Sequence, residues 1–247
     1  MQKANTSCFV WYEYLGSDLA KAQGFFGELF GWGTRDVPMP NGAYTMISTG
    51  DHTIGGYRAA PEGSRWRAHL GVTDAAATAA QVKSLGGVIV QPAVKASDFG
   101  TMAIVRDPQG AELALWQPTR PEPPTAVGPG HFCWTELTAE SPEAAAKFYC
   151  TIGGFTSEAM EMPGMGKYTT LRADGEPRAG IMAPSMPAAP RQWLPYVAVA
   201  SADKTADKAK RLGAQLYVPP TDIPGVGRFA IFGDPQGAPL GILQPSG

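Results

Sequence analysis

Two stretches determine the fold: FVWYEYLGSDLAKAQGFFGELFGW at residues 9–32 and FCWTELTAESPEAAAKFYCTIGGF at residues 132–155. Matching positions recur at a constant separation of 123 residues, which pairs Phe9 with Phe132, Trp11 with Trp134 and Glu13 with Glu136. Further on, RDPQGAELALWQP (106–118) corresponds to GDPQGAPLGILQP (233–245) at a separation of 127 residues. An ordered series of matches with a slowly growing separation indicates an internal duplication with small insertions.

Each copy contains the same order of predicted elements. In the first copy, the β-rich run FVWYEYL precedes an amphipathic helix that we predict to begin after Ser17 as N-cap. In the second copy, Ser141 precedes Pro142 at the first helical position. A second strand–helix unit follows in both copies, and a DPQG turn joins the last two strands. The sequence therefore predicts an α+β fold with two βαβββ modules in each copy.

A connector rich in proline and glycine, PTRPEPPTAVGPG, separates the two copies. Such a composition is typical of an exposed linker between domains. We therefore predict a first domain over residues 1–119, a proline-rich linker over residues 120–130 and a second domain over residues 131–247.

Composition narrows the class of protein. Apolar residues make up 44% and charged residues 17% of the 247 residues, as expected for a globular protein. The net charge of -2 gives no reason to expect nucleic acid or an anionic membrane as partner. No apolar run approaches the ~20 residues of a membrane-spanning helix. Three cysteines without CxxC spacing indicate reduced thiols, so a cytoplasmic location is expected.

The order of elements, the LGSDLAKAQGFF helix start and the two DPQG hairpins resemble the vicinal-oxygen-chelate superfamily. That superfamily includes glyoxalase I, bleomycin-resistance proteins and extradiol dioxygenases. The F-x-W-x-E opening of both copies resembles a two-domain bacterial branch described as glyoxalase-like. The resemblance implies tandem domains in which paired modules form a curved mixed sheet, the cup that holds a small molecule. Because this fold supports many chemistries, the resemblance specifies function only loosely.

In metal-dependent members of the superfamily, ligands lie on the first strand of each module and on the last strand. By resemblance, the corresponding positions here hold Trp11, Trp134, His69, Tyr196, Ala114 and Gly241. Only His69 among them is a competent ligand, whereas a facial triad needs two histidines and one carboxylate. We therefore predict no cofactor, with a divalent metal on a shifted ligand set as the alternative.

Strand alternation suggests which side chains form that shifted set. Residues at alternate positions share one face of a strand, so Glu13, His69 and Glu112 are expected to face the cup of the first domain. They are the alternative metal ligands. Glu13 acting as a general base without a metal, together with His69, is the catalytic prediction. Glu13 is also able to accept backbone hydrogen bonds or to pair with Arg67, and His69 to be a hydrogen-bonded wall residue.

Aromatic side chains make the expected cup suitable for a flat organic ligand. The predicted ligand-binding residues are Trp11, Glu112, Trp116, Trp134, Glu136 and Tyr196. Two hypotheses follow: a glyoxalase-like or dioxygenase-like enzyme acting on a small molecule in the first domain, or a non-catalytic protein that sequesters one. Because the duplication supplies both halves of a cup in one chain, a monomer is predicted, with a homodimer as the alternative.

Overall fold

A computed structural model describes residues 6–39, 42–61, 63–96, 98–120, 127–162, 166–184 and 190–246. The elements of the first copy follow in this order: β1 (Phe9–Gly16), α1 (Leu19–Phe30), β2 (Gly33–Met39), β3 (Gly42–Thr49), β4 (His52–Ala59), β5 (Arg65–Gly71), α2 (Ala75–Ser84), β6 (Val88–Ala96), β7 (Gly100–Arg106) and β8 (Glu112–Pro118). The predicted βαβββ module therefore occurs twice in this copy.

The second copy repeats that order: β9 (Phe132–Thr138), α3 (Pro142–Gly153), β10 (Thr156–Met162), β11 (Gly166–Ala173), β12 (Glu176–Met182), β13 (Trp193–Ala198), α4 (Ala202–Arg211), β14 (Gln215–Ile223), β15 (Gly227–Gly233) and β16 (Pro239–Pro245). The predicted duplication is therefore confirmed element by element. Among the described residues, no helix combines the length and apolarity that crossing a bilayer would require.

The first helix of each copy begins with a side-chain cap. Ser141 caps α3, where its hydroxyl accepts from the backbone N–H of Ala144 at 3.5 Å. For α1 the predicted cap, Ser17, is wrong by one residue. Asp18 is the N-cap, because its carboxylate accepts from the backbone N–H of Lys21 at 3.0 Å. A carboxylate at this position also interacts favourably with the helix dipole.

Each copy contributes one eight-stranded mixed sheet. The strand orders are β2-β3-β4-β1-β5-β8-β7-β6 and β10-β11-β12-β9-β13-β16-β15-β14. β1 and β4 are parallel and place Glu13 beside Gly56, while β5 and β8 are parallel and place His69 beside Ala114. The identical orders confirm the predicted α+β fold, with one mixed sheet of the same topology in each copy.

Packing divides the chain into two compact units that do not coincide with the two copies. Unit 1 comprises the described residues of Met1–Trp11, Ala68–Thr125 and Trp134–Trp193. Unit 2 comprises those of Tyr12–Arg67, Ala126–Cys133 and Leu194–Gly247. Each unit therefore combines a module of one copy with a module of the other. The predicted domain boundaries remain a prediction, and residues 121–126 of the predicted linker lie outside the described residues.

In unit 1, the DPQG turn of the first copy holds a helix of the second copy. The Asp107 carboxylate accepts from two backbone N–H groups of its own turn and from the Tyr149 hydroxyl at 2.9 Å. The Tyr149 oxygen in turn accepts from Trp193 Nε1 at 2.9 Å. Gln109 binds both backbone groups of Ser141, at 2.7 and 3.1 Å, and so grips the start of α3. We call this arrangement the unit 1 latch.

Unit 2 contains the corresponding latch built from the second DPQG turn. The Tyr14 hydroxyl donates to the buried Asp234 carboxylate at 2.7 Å, and Gln236 donates to the Asp18 carbonyl at 2.9 Å. The tyrosine that binds the aspartate lies on a different element in each copy. Tyr149 lies on α3 where α1 has Phe26, and Tyr14 lies on β1 where β9 has Leu137. In each turn a buried aspartate therefore accepts a hydrogen bond from a tyrosine hydroxyl, but the tyrosine comes from a different element in each copy.

Candidate functional site

A buried carboxylate held by two arginines lies in unit 2. Glu13, only 1% exposed, projects from β1, which lies between β4 and β5 in the sheet. Arg58 Nε donates to one carboxylate oxygen at 2.8 Å, and Arg67 Nη1 donates to the other at 3.2 Å. Glu13 faces away from α1, because its neighbour Tyr14 packs against Phe26 of that helix. The ion pair with Arg67, one of the alternatives drawn from the sequence, is present.

The Arg58 guanidinium is a fixed cation on the same face of the sheet as Glu13. Its side chain is 47% exposed, and its Cζ lies 5.2 Å from the centre of the Tyr44 ring. Burial lowers the pKa of the Arg58 guanidinium, but the charge and hydrogen bond of Glu13 outweigh it, so the net shift is upward. Tyr44 reaches this place because Gly56 has no side chain; a Cβ there would overlap the Tyr44 hydroxyl. We call Glu13, Tyr44, Arg58 and Arg67 the Glu13 cluster.

The second copy places a related cluster in unit 1. Trp134 Nε1 donates to the Tyr168 oxygen at 2.9 Å, and the Tyr168 hydroxyl donates to Glu136 Oε2 at 2.9 Å. Burial, and then the charge of Glu136, raise the pKa of Tyr168, so this phenol stays protonated and donates. Gly180 again makes room, since a Cβ there would overlap the Tyr168 hydroxyl. We call Trp134, Glu136 and Tyr168 the Glu136 cluster.

The two clusters differ at the arginine positions. Glu13 lies beside Gly56 and Glu136 lies beside Gly180, so Arg58 and Met182 each stand two residues further along the neighbouring strand. Arg67 follows Trp66 as Leu194 follows Trp193. The second copy therefore has methionine and leucine where the first has its two guanidinium groups.

The other predicted residues of the first copy lie in unit 1. His69 on β5 is 3% exposed and stands beside Ala114 of β8. Glu112 forms an ion pair with Arg106 at 3.2 Å. Trp116 covers Gly100, where a Cβ would overlap its ring, and Trp11 on β1 is partly exposed. Compact packing therefore groups His69 and Glu112 with Glu136, whereas Glu13 belongs to unit 2.

Tyr196, a predicted ligand-binding residue of the second copy, is 5% exposed and lies in unit 2. It is paired in register with Gly241 of β16, and a Cβ on Gly241 would overlap the Tyr196 ring. Gly241 is the position at which the resemblance expects a metal-binding carboxylate. An aromatic ring instead lies against this position.

The described residues do not fit a divalent ion on the alternative ligand set. No three His, Cys, Asp or Glu side chains in the described part of the chain lie close enough to hold a metal ion. Of the three alternative ligands, Glu13 is bound by Arg58 and Arg67, and Glu112 is bound by Arg106.

Several residues of the two clusters could not be identified from the sequence. Tyr44, Arg58 and Tyr168 were not among the predicted site residues. The recurrence of tyrosine in AYTMIST and KYTTLRA was the available signal for Tyr44 and Tyr168. A separate surface groove of about 530 Å³ lies between α3 and the β10–β11 hairpin, lined in part by Lys147, and none of the predicted residues borders it.

Comparison with known families gives two matches that follow the duplication. Residues 16–116 match the family model described as "Glyoxalase-like domain". Residues 129–242 match the model described as "Glyoxalase/Bleomycin resistance protein/Dioxygenase superfamily". Both matches agree with the resemblance inferred from the sequence.

Relatives that match almost the whole chain include the following two. "Putative glyoxylase CFP32" of Mycobacterium bovis is 36% identical over 245 residues, which is 96% of this chain and 94% of the relative. "Anthracycline biosynthesis protein DnrV" of Streptomyces peucetius is 28% identical over 255 residues, covering 95% and 92% of the two chains. A solved Mn(II)-bound glyoxalase from Novosphingobium aromaticivorans shares the fold, with a TM-score of 0.64 and 16% identity over 98% of this chain and 83% of its own.

Proposed function

Because the chain belongs to the glyoxalase/bleomycin resistance/dioxygenase superfamily, we propose that it binds a small organic anion at the Glu13 cluster, without a divalent metal. One observation carries this proposal. Arg58 is a half-exposed cation that a buried carboxylate and an aromatic ring hold in place. The relatives named as glyoxylase and as an anthracycline biosynthesis protein support a small organic ligand.

The chemistry of the cluster favours a planar oxyanion such as a carboxylate, enolate or phenolate. A guanidinium offers several N–H donors in one plane, which matches the two oxygens of a carboxylate. The Tyr44 ring beside Arg58 adds a flat surface for an aromatic or conjugated ligand. Arg67 is mostly buried and fixes the second oxygen of Glu13. The ligand would therefore contact Arg58 and Tyr44, while Glu13 and Arg67 keep Arg58 in position.

This arrangement gives Glu13 a positioning role in the proposal. Both of its oxygens accept hydrogen bonds from arginines and its side chain is almost fully buried, so direct proton transfer to a ligand is disfavoured. The same cation can serve an enzyme, by stabilising negative charge that develops on an oxygen, or a sequestering protein, by binding a stable anion. Because arginines already bind both Glu13 oxygens, sequestration of a stable anion is the second candidate function. Catalytic roles for Glu13 and His69 stay predictions.

Calorimetric titration with benzoate tests the anion site. Arg58→Met installs the residue that the second copy has at the matching position. Losing one charge-assisted hydrogen bond costs about 1.5–3 kcal/mol, so the affinity for benzoate should fall roughly 10–100-fold. Lys83→Met, at an exposed lysine of unit 1, is the matched control and should leave binding unchanged. Equal benzoate affinity of Arg58→Met and the unchanged protein would refute the anion site.

Two further measurements separate the forms of this proposal. Elemental analysis for Ni, Zn, Fe and Mn, after purification without chelators, should give far less than one metal per chain. One equivalent of metal that disappears in Glu13→Gln would contradict the metal-free form. Turnover of the hemithioacetal of methylglyoxal and glutathione distinguishes the two functions. Turnover that falls in Arg58→Met indicates catalysis, whereas intact benzoate binding without turnover of this substrate favours sequestration.

A further inference from the structure

We propose that the surface groove between α3 and the β10–β11 hairpin is a second ligand site, and that it binds the carboxylate of a small aliphatic acid. The groove has a volume of about 530 Å³, which is within the usual range of small-molecule sites. Its residues belong to unit 1, whereas the Glu13 cluster belongs to unit 2. A threonine hydroxyl and a lysine in its lining indicate the chemistry of the ligand.

The groove has one helical wall and one wall formed by strands. On α3, Ala146, Lys147 and Cys150 line it, and they lie within about one turn of each other. From the hairpin, Ala159 and Thr169 line it, and these two residues are paired in register on neighbouring strands. Both walls therefore carry an alanine, and these small side chains leave room for a ligand.

Thr169 is a buried polar residue whose side chain borders the groove. It is only 4% exposed, yet its hydroxyl makes no hydrogen bond to any residue that the structure describes. Buried polar groups in proteins are almost always hydrogen-bonded, because a lost partner costs free energy. The groove therefore offers a hydrogen-bond donor to a molecule from solution.

The first copy shows which group completes this hydrogen bond. Thr45 occupies the position of Thr169, and its hydroxyl donates to the Asp36 carboxylate at 2.6 Å. Asp36 is paired in register with Thr45, as Ala159 is with Thr169. The second copy therefore has the same threonine without the carboxylate that accepts from it. A carboxylate from solution is the counterpart of the Asp36 side chain.

The charge of the groove differs between the copies in the direction that this ligand requires. Lys147 stands at the position where α1 has Gly24, so a cation is present in the second copy alone. Lys167, also in the lining, is bound by Glu143, whereas Lys147 forms no ion pair with any described residue. An ammonium group and a hydroxyl are both donors, so together they suit a carboxylate. The alanines suit a short aliphatic chain.

Protection of the Cys150 thiol tests this site, because Cys150 lines the groove and is partly exposed. The full chain is labelled with N-ethylmaleimide at increasing butyrate and constant ionic strength, and each labelled cysteine is quantified by peptide mass spectrometry. Butyrate is a carboxylate anion at neutral pH and should slow the labelling of Cys150 severalfold at saturation. Labelling of Cys133, an exposed thiol outside the groove, should not respond to butyrate.

Three variants test which groups hold the carboxylate. Ala159→Asp installs the internal carboxylate of the first copy and should weaken butyrate binding roughly tenfold or more. Thr169→Val keeps the shape of the side chain, removes the hydroxyl and should have an effect of similar size. Asp36→Ala is the matched control, because it makes the reverse exchange in the first copy and should leave the protection of Cys150 unchanged. Near-ultraviolet circular dichroism confirms that each variant is folded.

The outcomes decide the proposal in both directions. Protection that is lost in Ala159→Asp and Thr169→Val, and retained in Asp36→Ala, supports the carboxylate site. Undiminished protection in a folded Ala159→Asp protein overturns it. So does the absence of protection in the unchanged protein at millimolar butyrate, or an equal slowing of Cys150 and Cys133 labelling. Failure of the anion site at the Glu13 cluster appears instead in the benzoate titration of Arg58→Met, so the two proposals fail independently.

Discussion

Replacing Tyr149 by phenylalanine removes a single oxygen on which the unit 1 latch depends. The Tyr149 hydroxyl donates to Asp107 and accepts from Trp193, both at 2.9 Å, and all three side chains are buried. Phenylalanine fills nearly the same volume, so packing changes little. The loss leaves a buried indole N–H and one oxygen of a buried carboxylate without the partner that they have now.

The expected cost follows from those two groups. A buried donor or acceptor that loses its partner costs about 1–3 kcal/mol, and a charged group costs more. We therefore expect Tyr149→Phe to lower the free energy of unfolding by about 3–4 kcal/mol. That is a large share of the roughly 5–15 kcal/mol of a typical domain. Urea unfolding followed by circular dichroism measures it, and the slope with denaturant should stay unchanged because the surface exposed on unfolding is the same.

The chain offers a matched control for this substitution. Tyr57 is 2% exposed, and its hydroxyl makes no hydrogen bond to any described residue. Tyr57→Phe therefore removes a buried hydroxyl without removing a hydrogen bond of the described structure, and should be neutral or slightly stabilising. Equal stability of the Tyr149→Phe and Tyr57→Phe proteins would refute the reasoning that the latch stabilises unit 1.

Three other predictions concern buried tyrosine hydroxyl groups and their neighbours. Tyr14→Phe removes the donor to Asp234 in the unit 2 latch and should cost about 2–3 kcal/mol in urea unfolding; a loss no larger than that of Tyr57→Phe would contradict it. Gly180→Ala places a methyl group against the Tyr168 hydroxyl and should lower the free energy of unfolding by about 1–3 kcal/mol. Gly24→Ala in α1, where nothing lies within 4 Å of the added Cβ, should instead raise it by up to about 1 kcal/mol. Burial raises the pKa of Tyr14, Tyr57, Tyr149 and Tyr168, so these four of the eight tyrosines should show tyrosinate absorbance only after unfolding. Since the unfolded chain releases these protons above pH ~10 and the folded chain keeps them, stability should fall as pH rises beyond that value; a folded protein that titrates all eight together would contradict this.

Much of the fold could be predicted because the duplication repeats many of the local signals. The β-rich openings, the helix start at Ser141 and the two DPQG turns each appear in the sequence and in the structure. The grouping of modules into units could not be predicted, because it depends on contacts between residues far apart in the chain. Turn propensity accounts for Asp107 and Gly110, but it gives no role to Gln109. The glutamine recurs in both turns, as Gln109 and Gln236, but the sequence alone does not show which groups it contacts.

The candidate site was predictable only in part. Strand alternation places Glu13 and Arg67 on one face, and their ion pair is present. Arg58 escaped detection because its place beside Glu13 depends on the parallel register of β1 and β4. A shift of one residue would turn Arg58 to the opposite face of the sheet. Such a register is a tertiary property that the local sequence does not encode.

Comparison of the copies separates what the structure needs from what distinguishes the Glu13 cluster from the Glu136 cluster. In the latches, the phenol moved between a strand and a helix, yet a tyrosine reaches the buried aspartate in both units. In the clusters, the glutamate and its tyrosine stay in place while Arg58 corresponds to Met182. At the proposed anion site, exchanging Arg58 for the methionine of the second copy should therefore change benzoate affinity rather than whether the sheet folds.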